Sequence, residues 1–413
     1  MINIIDTILS GFITIATIIR NPIYWIVILL VLIQYRRIYK MEKQILGINK
    51  ESILITILKS SILGIIGGVV GSILIMLLGI SIEANDFKYL FIVAIILMLI
   101  HPRFICFSYS GGIISISSLV LGYPKINVSS VIAIVAILHL IESLLIFIDG
   151  DSTKIPMFIE RDNRIVGGFN MMRFWPIPFI VLIMTSQSSV NIGLRPSDWW
   201  PIFNSSGSKV IYESMVYLMA GVIAALGYGD MAITDLPKNK IRNSSRNLFI
   251  YSCILLTLAT ISTYSYIFKI IAALFAPIVH EFIIQMGRKR EKNGSPIFVP
   301  SSKGIRVLDT LPKGFGNKIG LQTGDVILSI NGFAVRNKEE LSKILYYSPK
   351  YVLIDYLNTS GKIITKEYRD YKKGIRSLGI LAVPDNTNIS FVAREAKSPL
   401  LILFDRIRRI RKK

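Results

Sequence analysis

The sequence predicts a membrane all-α bundle of multiple transmembrane helices followed by a small α+β domain. Three observations predict it. Apolar residues make up 52% of the chain against 18% charged, and the mean hydropathy is +0.56, the balance of a polytopic membrane protein. The apolar residues come in successive long runs through residues 1–286. Beyond residue 300 the runs give way to short alternating strands and glycine turns, a pattern that belongs in water. The expected division is therefore a transmembrane domain at 1–286, a juxtamembrane linker at 287–300, the small domain at 301–370, and a C-terminal strand and basic amphipathic helix at 371–413.

Taken in order, residues 1–19 are apolar and end at Arg20-Asn21-Pro22, as a crossing, a re-entrant piece or an interfacial helix would. Pro22 opens a second run, Ile23 to Ile33, closed by Arg36, Arg37, Lys40 and Lys43. Further runs are Ile53–Ile80, Tyr89–Ile100, Phe104–Tyr123, Val128–Phe147, Phe174–Thr185, Val210–Leu226 and Leu248–Ile284. The last is too long for one crossing and reads as a hairpin turning near Ser262 to Lys269. Gly64, Gly67, Gly68 and Gly71 suit close helix packing.

The formal net charge is +21, which on a membrane protein sets orientation and attracts anionic lipid. No arginine-rich or aromatic nucleic-acid platform accompanies it, so no nucleic-acid partner is expected. Placing Arg36–Lys50, Asp149–Arg173, Asp230–Arg246 and everything beyond Arg288 in the cytoplasm gives an alternating path. The loop with Trp199-Trp200 then falls outside, where paired tryptophans suit the interface. The N-terminus lacks a basic n-region and a small-residue cleavage site, so the first helices are expected to stay in the protein.

The small domain begins Gly304-Ile305-Arg306-Val307 and continues through Lys318-Ile319-Gly320-Leu321, Gly324-Asp325-Val326-Ile327-Leu328 and Ile330-Asn331-Gly332. A short amphipathic helix at Lys338–Leu345 and strands at Tyr351–Tyr356 and Lys362–Tyr368 follow. This order resembles a bacterial PDZ domain of the circularly permuted kind found beside HtrA-type proteases. The resemblance implies binding of an extended peptide as an added strand on a sheet edge. The expected edge is Ile305, Arg306, Val307 and Leu308, facing Leu341, Ile344 and Leu345 of the helix, with Ser302, Lys303 and Gly304 offering backbone N–H groups and charge to a carboxylate. Ile375–Val383 reads as a further strand, and Pro399–Lys413 as a basic amphipathic helix.

Catalytic and metal chemistry find little support. His280-Glu281 begins like the zinc-binding His-Glu-x-x-His, but Ile284 stands where the second histidine is needed. His101 and His139 lie in separate runs, and Cys106 and Cys253 sit in apolar stretches, so neither a disulfide framework nor a zinc site is indicated. No catalytic residue, metal ligand or cofactor is expected, and Glu281 is expected to pair with Arg288 or a neighbouring loop.

The chain as a whole resembles the MinJ-like polytopic membrane PDZ proteins, division-site topology determinants of Gram-positive bacteria. The resemblance is carried by Asn21-Pro22-Ile23-Tyr24-Trp25, the basic stretch Arg37–Glu42, Gly227-Tyr228-Gly229-Asp230 with Ala232-Ile233-Thr234, and Pro277-Ile278-Val279-His280-Glu281 with Gly287, Arg288 and Glu291. It implies a non-enzymatic membrane scaffold whose cytoplasmic PDZ domain binds segments of DivIVA- or MinD-like division proteins, with membrane lipid as a further partner and a homo-oligomer left open. The alternative is a transmembrane transporter or sensor regulated by its PDZ domain, for which Glu142 and Glu213 are the candidate intramembrane carboxylates.

Overall fold

A computed structural model describes residues 4–162, 164–186, 200–203 and 215–384. Asn21 accepts a hydrogen bond from the Ile23 N–H at 2.9 Å, and Pro22 takes the first helical position, so α1 (Ile4–Arg20) passes sharply into α2 (Pro22–Leu46). The basic cluster expected to close this run is instead the continuing helix, which stops at Gly47. After α3 (Ile53–Leu78), β1 (Ser81–Ile82) and α4 (Ala84–Ile100), a 3₁₀ turn at Pro102–Ile105 leads into α5 (Phe107–Leu121) and α6 (Val128–Asp149). The long run near the end of the membrane part is a hairpin, as its length requires: α7 (Pro237–Ser262) and α8 (Tyr266–Asn293). Five of these helices are long and apolar enough to cross a membrane: α2, α3, α6, α7 and α8.

Two expected crossings are not helices. Phe174–Thr185 lies within β3 (Arg164–Ser186), and the described part of Val210–Leu226 lies within β4 (Met215–Ala232). With β2 (Lys154–Arg161) and β1 they make one sheet, in which β3 pairs antiparallel with β2 and β4 and parallel with β1. Pro176 and Pro178 supply a physical reason, since each would remove an N–H from a helix interior and clash with the preceding turn at about 3 kcal/mol. Hydropathy reported that these residues are buried, and burial is common to both geometries.

The sheet is seated on helices through backbone contact and a buried charge. A Cβ on Gly64 would lie 2.1 Å from the Pro176 carbonyl oxygen, and one on Gly68 would lie 1.9 Å from that of Pro178. Two of the four glycines expected to serve helix packing therefore admit a strand, while Gly67 and Gly71 face Ile141 on α6. Ser72 caps the contact, its hydroxyl accepting from the Ile180 N–H at 2.9 Å. At the end of α6, buried Asp149 pairs with buried Arg173, accepting from its Nε at 2.7 Å, and also accepts from Trp175 Nε1 at 2.9 Å and Ser152 Oγ at 2.6 Å.

The C-terminal module is a sheet of β5 (Ile305–Thr310), β6 (Val326–Ile330), β7 (Phe333–Ala334), β8 (Tyr351–Leu357), β9 (Ile363–Arg369) and β10 (Ile380–Ala382), in the order β10-β5-β6-β8-β9 with β7 on β6. A short helix α9 (Phe315–Lys318) and α10 (Lys338–Tyr346) complete it. The first residues of the expected linker belong to α8, which runs to Asn293. The strap beyond is bonded to the membrane part, Ile297 N–H to the Ile233 carbonyl at 3.1 Å and Gly167 N–H to that of Phe298 at 2.8 Å. Leu308 packs on Gly167, and Lys50 forms an ion pair with Asp309, so the module rests on the β2–β3 hairpin. The expected C-terminal amphipathic helix lies outside the described residues.

Candidate functional site

The strand expected to receive a peptide, Ile305 to Leu308, is interior to its sheet. Ile305 and Arg306 pair with Ile327 and Val326 of β6, while Val307, Asp309 and Thr310 pair with Ala382, Leu381 and Ile380 of β10. Both edges of β5 are used, which corrects the assignment of Ile305, Arg306, Val307 and Leu308 as the receiving edge. The strand that covers it comes from Ile375–Val383, read in the sequence as a further strand.

Among the described residues β10 is the edge on the side of β5, with β9 at the opposite end of the sheet. The Gly379 carbonyl accepts from the Leu311 N–H at 2.8 Å, and the Val383 N–H donates to the Arg306 carbonyl at 3.0 Å, so these residues face β5. Strand alternation then turns the backbone groups of Ile380 and Ala382 outward, where an added strand would find them. The loop before the edge is tightly held. Gly379 has φ of 61°, Leu378 is buried with its carbonyl accepting from the Gly316 N–H at 2.6 Å, and Ile375 donates to the Pro349 carbonyl at 2.9 Å. Arg376 Nε donates to Ser348 Oγ at 3.2 Å, tying this loop to the end of α10.

The helix half of the expected site stands on the same core. Asn337 caps α10 by accepting from the Glu340 N–H at 2.8 Å, while Glu340 accepts from the Arg336 N–H at 2.7 Å. Leu345 is buried, and Leu341 and Ile344 pack against a cluster that contains Ile375, Leu378 and Ala382. α10 and β10 therefore flank one apolar floor, closed at one end by the Ile375–Gly379 loop.

The predicted carboxylate loop lies elsewhere. Ser302, Lys303 and Gly304 form a turn closed by the Ser301–Gly304 bridge, and Ser302 and Lys303 line a cleft of about 610 Å³ with Arg306, Gly324 and Leu357. Gly304 is there for space, since a Cβ would lie 2.0 Å from the Ile327 carbonyl oxygen. The Arg306 guanidinium is occupied, donating to the carbonyls of Val299 at 2.7 Å and Gly324 at 3.1 Å. Two carboxylates of the module are perturbed in opposite senses. Burial pushes the Asp325 carboxyl above its ordinary range against the Gln322 N–H it accepts at 2.8 Å, while hydroxyls of Ser329 and Thr365 hold Asp355 below it.

The profile of the PDZ domain family matches residues 282–351. The chain carries a PDZ domain. Across 225 residues it is 23% identical to the cell division topological determinant MinJ of Bacillus subtilis, covering 54% of this chain and 53% of that protein. The chain thus spans about half the length of the curated relative it matches. The PDZ domain of an SdrC-like protein from Listeria monocytogenes, known from a crystal structure, is 22% identical over 20% of this chain and 90% of that one, with a TM-score of 0.17.

The residues singled out in the membrane part take definite positions. Glu281 accepts from Tyr109 at 2.5 Å and Gln285 at 2.6 Å and pairs at 3.1 Å with Arg103 of the 3₁₀ turn, so its partner is the neighbouring loop rather than Arg288. His101 caps that turn, accepting from the Arg103 N–H at 3.2 Å. Glu142 lies on α6 one turn beyond His139, and Glu213 lies outside the described residues. His139 and His280, far apart in sequence, meet at Cys106.

Proposed function

We propose that this chain is a membrane-anchored adaptor without catalytic activity, whose PDZ domain takes an extended segment of a partner protein along β10 beside α10. The observation that supports this reading is the outward edge at Ile380 and Ala382, flanked by a helix over a common apolar floor. The basic stretches at Arg36–Lys50 and beyond Arg288 favour a cytoplasmic module, held close to the bilayer by the strap that follows α8. Likeness to MinJ suggests division-site placement, with DivIVA- or MinD-like proteins as the partners and anionic lipid around the anchor.

The test is the position of a fluorescent fusion in dividing cells, for the natural chain and for Ala382→Pro and Ile344→Lys. Proline at 382 removes an outward N–H and leaves the bonds of Gly379 and Val383 to β5 in place, and lysine at 344 charges the facing helix. Septal or polar enrichment that disappears in both variants, at unchanged membrane levels, is the expected outcome. An even membrane signal in all three chains would overturn the reading.

A further inference from the structure

We propose that Cys106, His139 and His280 form a zinc-type transition-metal site inside the helix bundle. The three donor atoms come from the turn before α5, from α6 and from α8, and all lie within 4.8 Å of one another. Cys106 Sγ is 3.0 Å from His139 Nε2 and 3.6 Å from His280 Nε2. A tetrahedral zinc ion with bonds of about 2.3 Å to sulfur and about 2.0 Å to nitrogen sets its sulfur and nitrogen ligands about 3.5 Å apart. The His280 pair already has that spacing, and His139 needs to withdraw by about half an ångström.

The hydrogen bonds around the cluster leave lone pairs pointing inward. His139 Nδ1 lies 2.7 Å from the Val135 carbonyl, which accepts only, so this nitrogen carries the proton and Nε2 of the neutral ring presents a lone pair. Tyr251 donates to the Ala276 carbonyl at 2.9 Å, so its oxygen receives the Ser108 hydroxyl proton at 2.6 Å. Ser108 Oγ therefore also faces His139 Nε2, at 3.3 Å, with a lone pair. Two acceptors face each other beside a sulfur and a second imidazole; one thiol proton on Cys106 satisfies His139 alone, whereas a cation satisfies the sulfur and both imidazoles together.

Burial strengthens the case. His139 and His280 are 2% and 8% exposed, and Nδ1 of His280 has no hydrogen-bond partner among the described residues. Rings of Tyr109 and Tyr251 stand against the His280 imidazole at 5.3 and 5.7 Å. Thiolate with imidazole is a ligand set for zinc, and three protein ligands leave a fourth position on the side of Ser108. The ion would staple α8, the helix that carries the strap to the PDZ domain, to α6 and to the turn before α5.

The full chain, purified in detergent without added metal, is assayed for zinc by elemental analysis, alongside Cys106→Ser and the double variant Cys106→Ser, His280→Gln. About one ion per natural chain, lost in the double variant, is expected. Metal-stripped protein given cobalt(II) alone should show a thiolate-to-cobalt charge-transfer band that Cys106→Ser abolishes even where cobalt stays bound. Equal metal content in the natural chain and the double variant overturns the site. So does natural chain that neither retains zinc nor takes up cobalt, which would leave a thiol–imidazole hydrogen bond as the whole of the arrangement.

Discussion

The two sheets of this protein are built on opposite sequence patterns. In β8 the residues alternate, with Val352, Ile354 and Tyr356 buried and their neighbours partly or fully exposed, as a strand with one covered face requires. In β3 the stretch Trp175–Leu182 is buried without interruption, because α3 covers one side and other elements the rest. A strand covered on both faces and a membrane helix satisfy the same hydropathy condition. The difference teaches that an apolar run measures how much company a segment keeps and leaves its geometry open.

If the first sheet is held by a buried charge and by backbone contact rather than by alternation, its weakest points differ from those of the second. The largest effect is expected at Asp149→Ala, which strands the Arg173 guanidinium and should cost about 3–5 kcal/mol, read as lost thermal stability of the purified chain. A variant of unchanged midpoint would break the comparison at its centre. Gly68→Ala comes next, since its Cβ would meet the Pro178 carbonyl at 1.9 Å. The expected cost is about 2–3 kcal/mol, whereas Gly229→Ala, with nothing within 4 Å, should change stability by less than about 1 kcal/mol in the same assay.

The junction between the sheets should be softer. Lys50→Met removes a partly exposed ion pair with Asp309, and about 0.5–1 kcal/mol is expected, diminishing with added salt. The smallest effect concerns Asp355 on the second sheet. Its folded carboxyl is held low, so it contributes stability above the unfolded carboxylate range that is lost as pH falls through the folded value. Ser329→Ala should raise that folded value and shrink the acid-side loss by under about 1 kcal/mol, seen in unfolding midpoints compared at neutral and acidic pH.

The sequence by itself determined the order of the molecule: apolar helices first, the hairpin between Leu248 and Ile284, then a PDZ domain marked by Gly324-Asp325 and Asn331-Gly332. These are local facts, carried by run length, periodicity and turn chemistry. What lay between sequence-distant residues was decided only by the tertiary structure. Pro176 and Pro178 stood in plain view as signals against a helix, yet the glycines that receive them are on α3. The edge on this side of the PDZ sheet is β10 rather than β5, because a strand near the end of the described chain folds back to cover the first. His280 lacks a histidine partner on its own helix turn, and finds His139 and Cys106 across the bundle. Edges, seats and ligand sets are properties of which segments become neighbours, and that is settled when the whole apolar surface is buried at once.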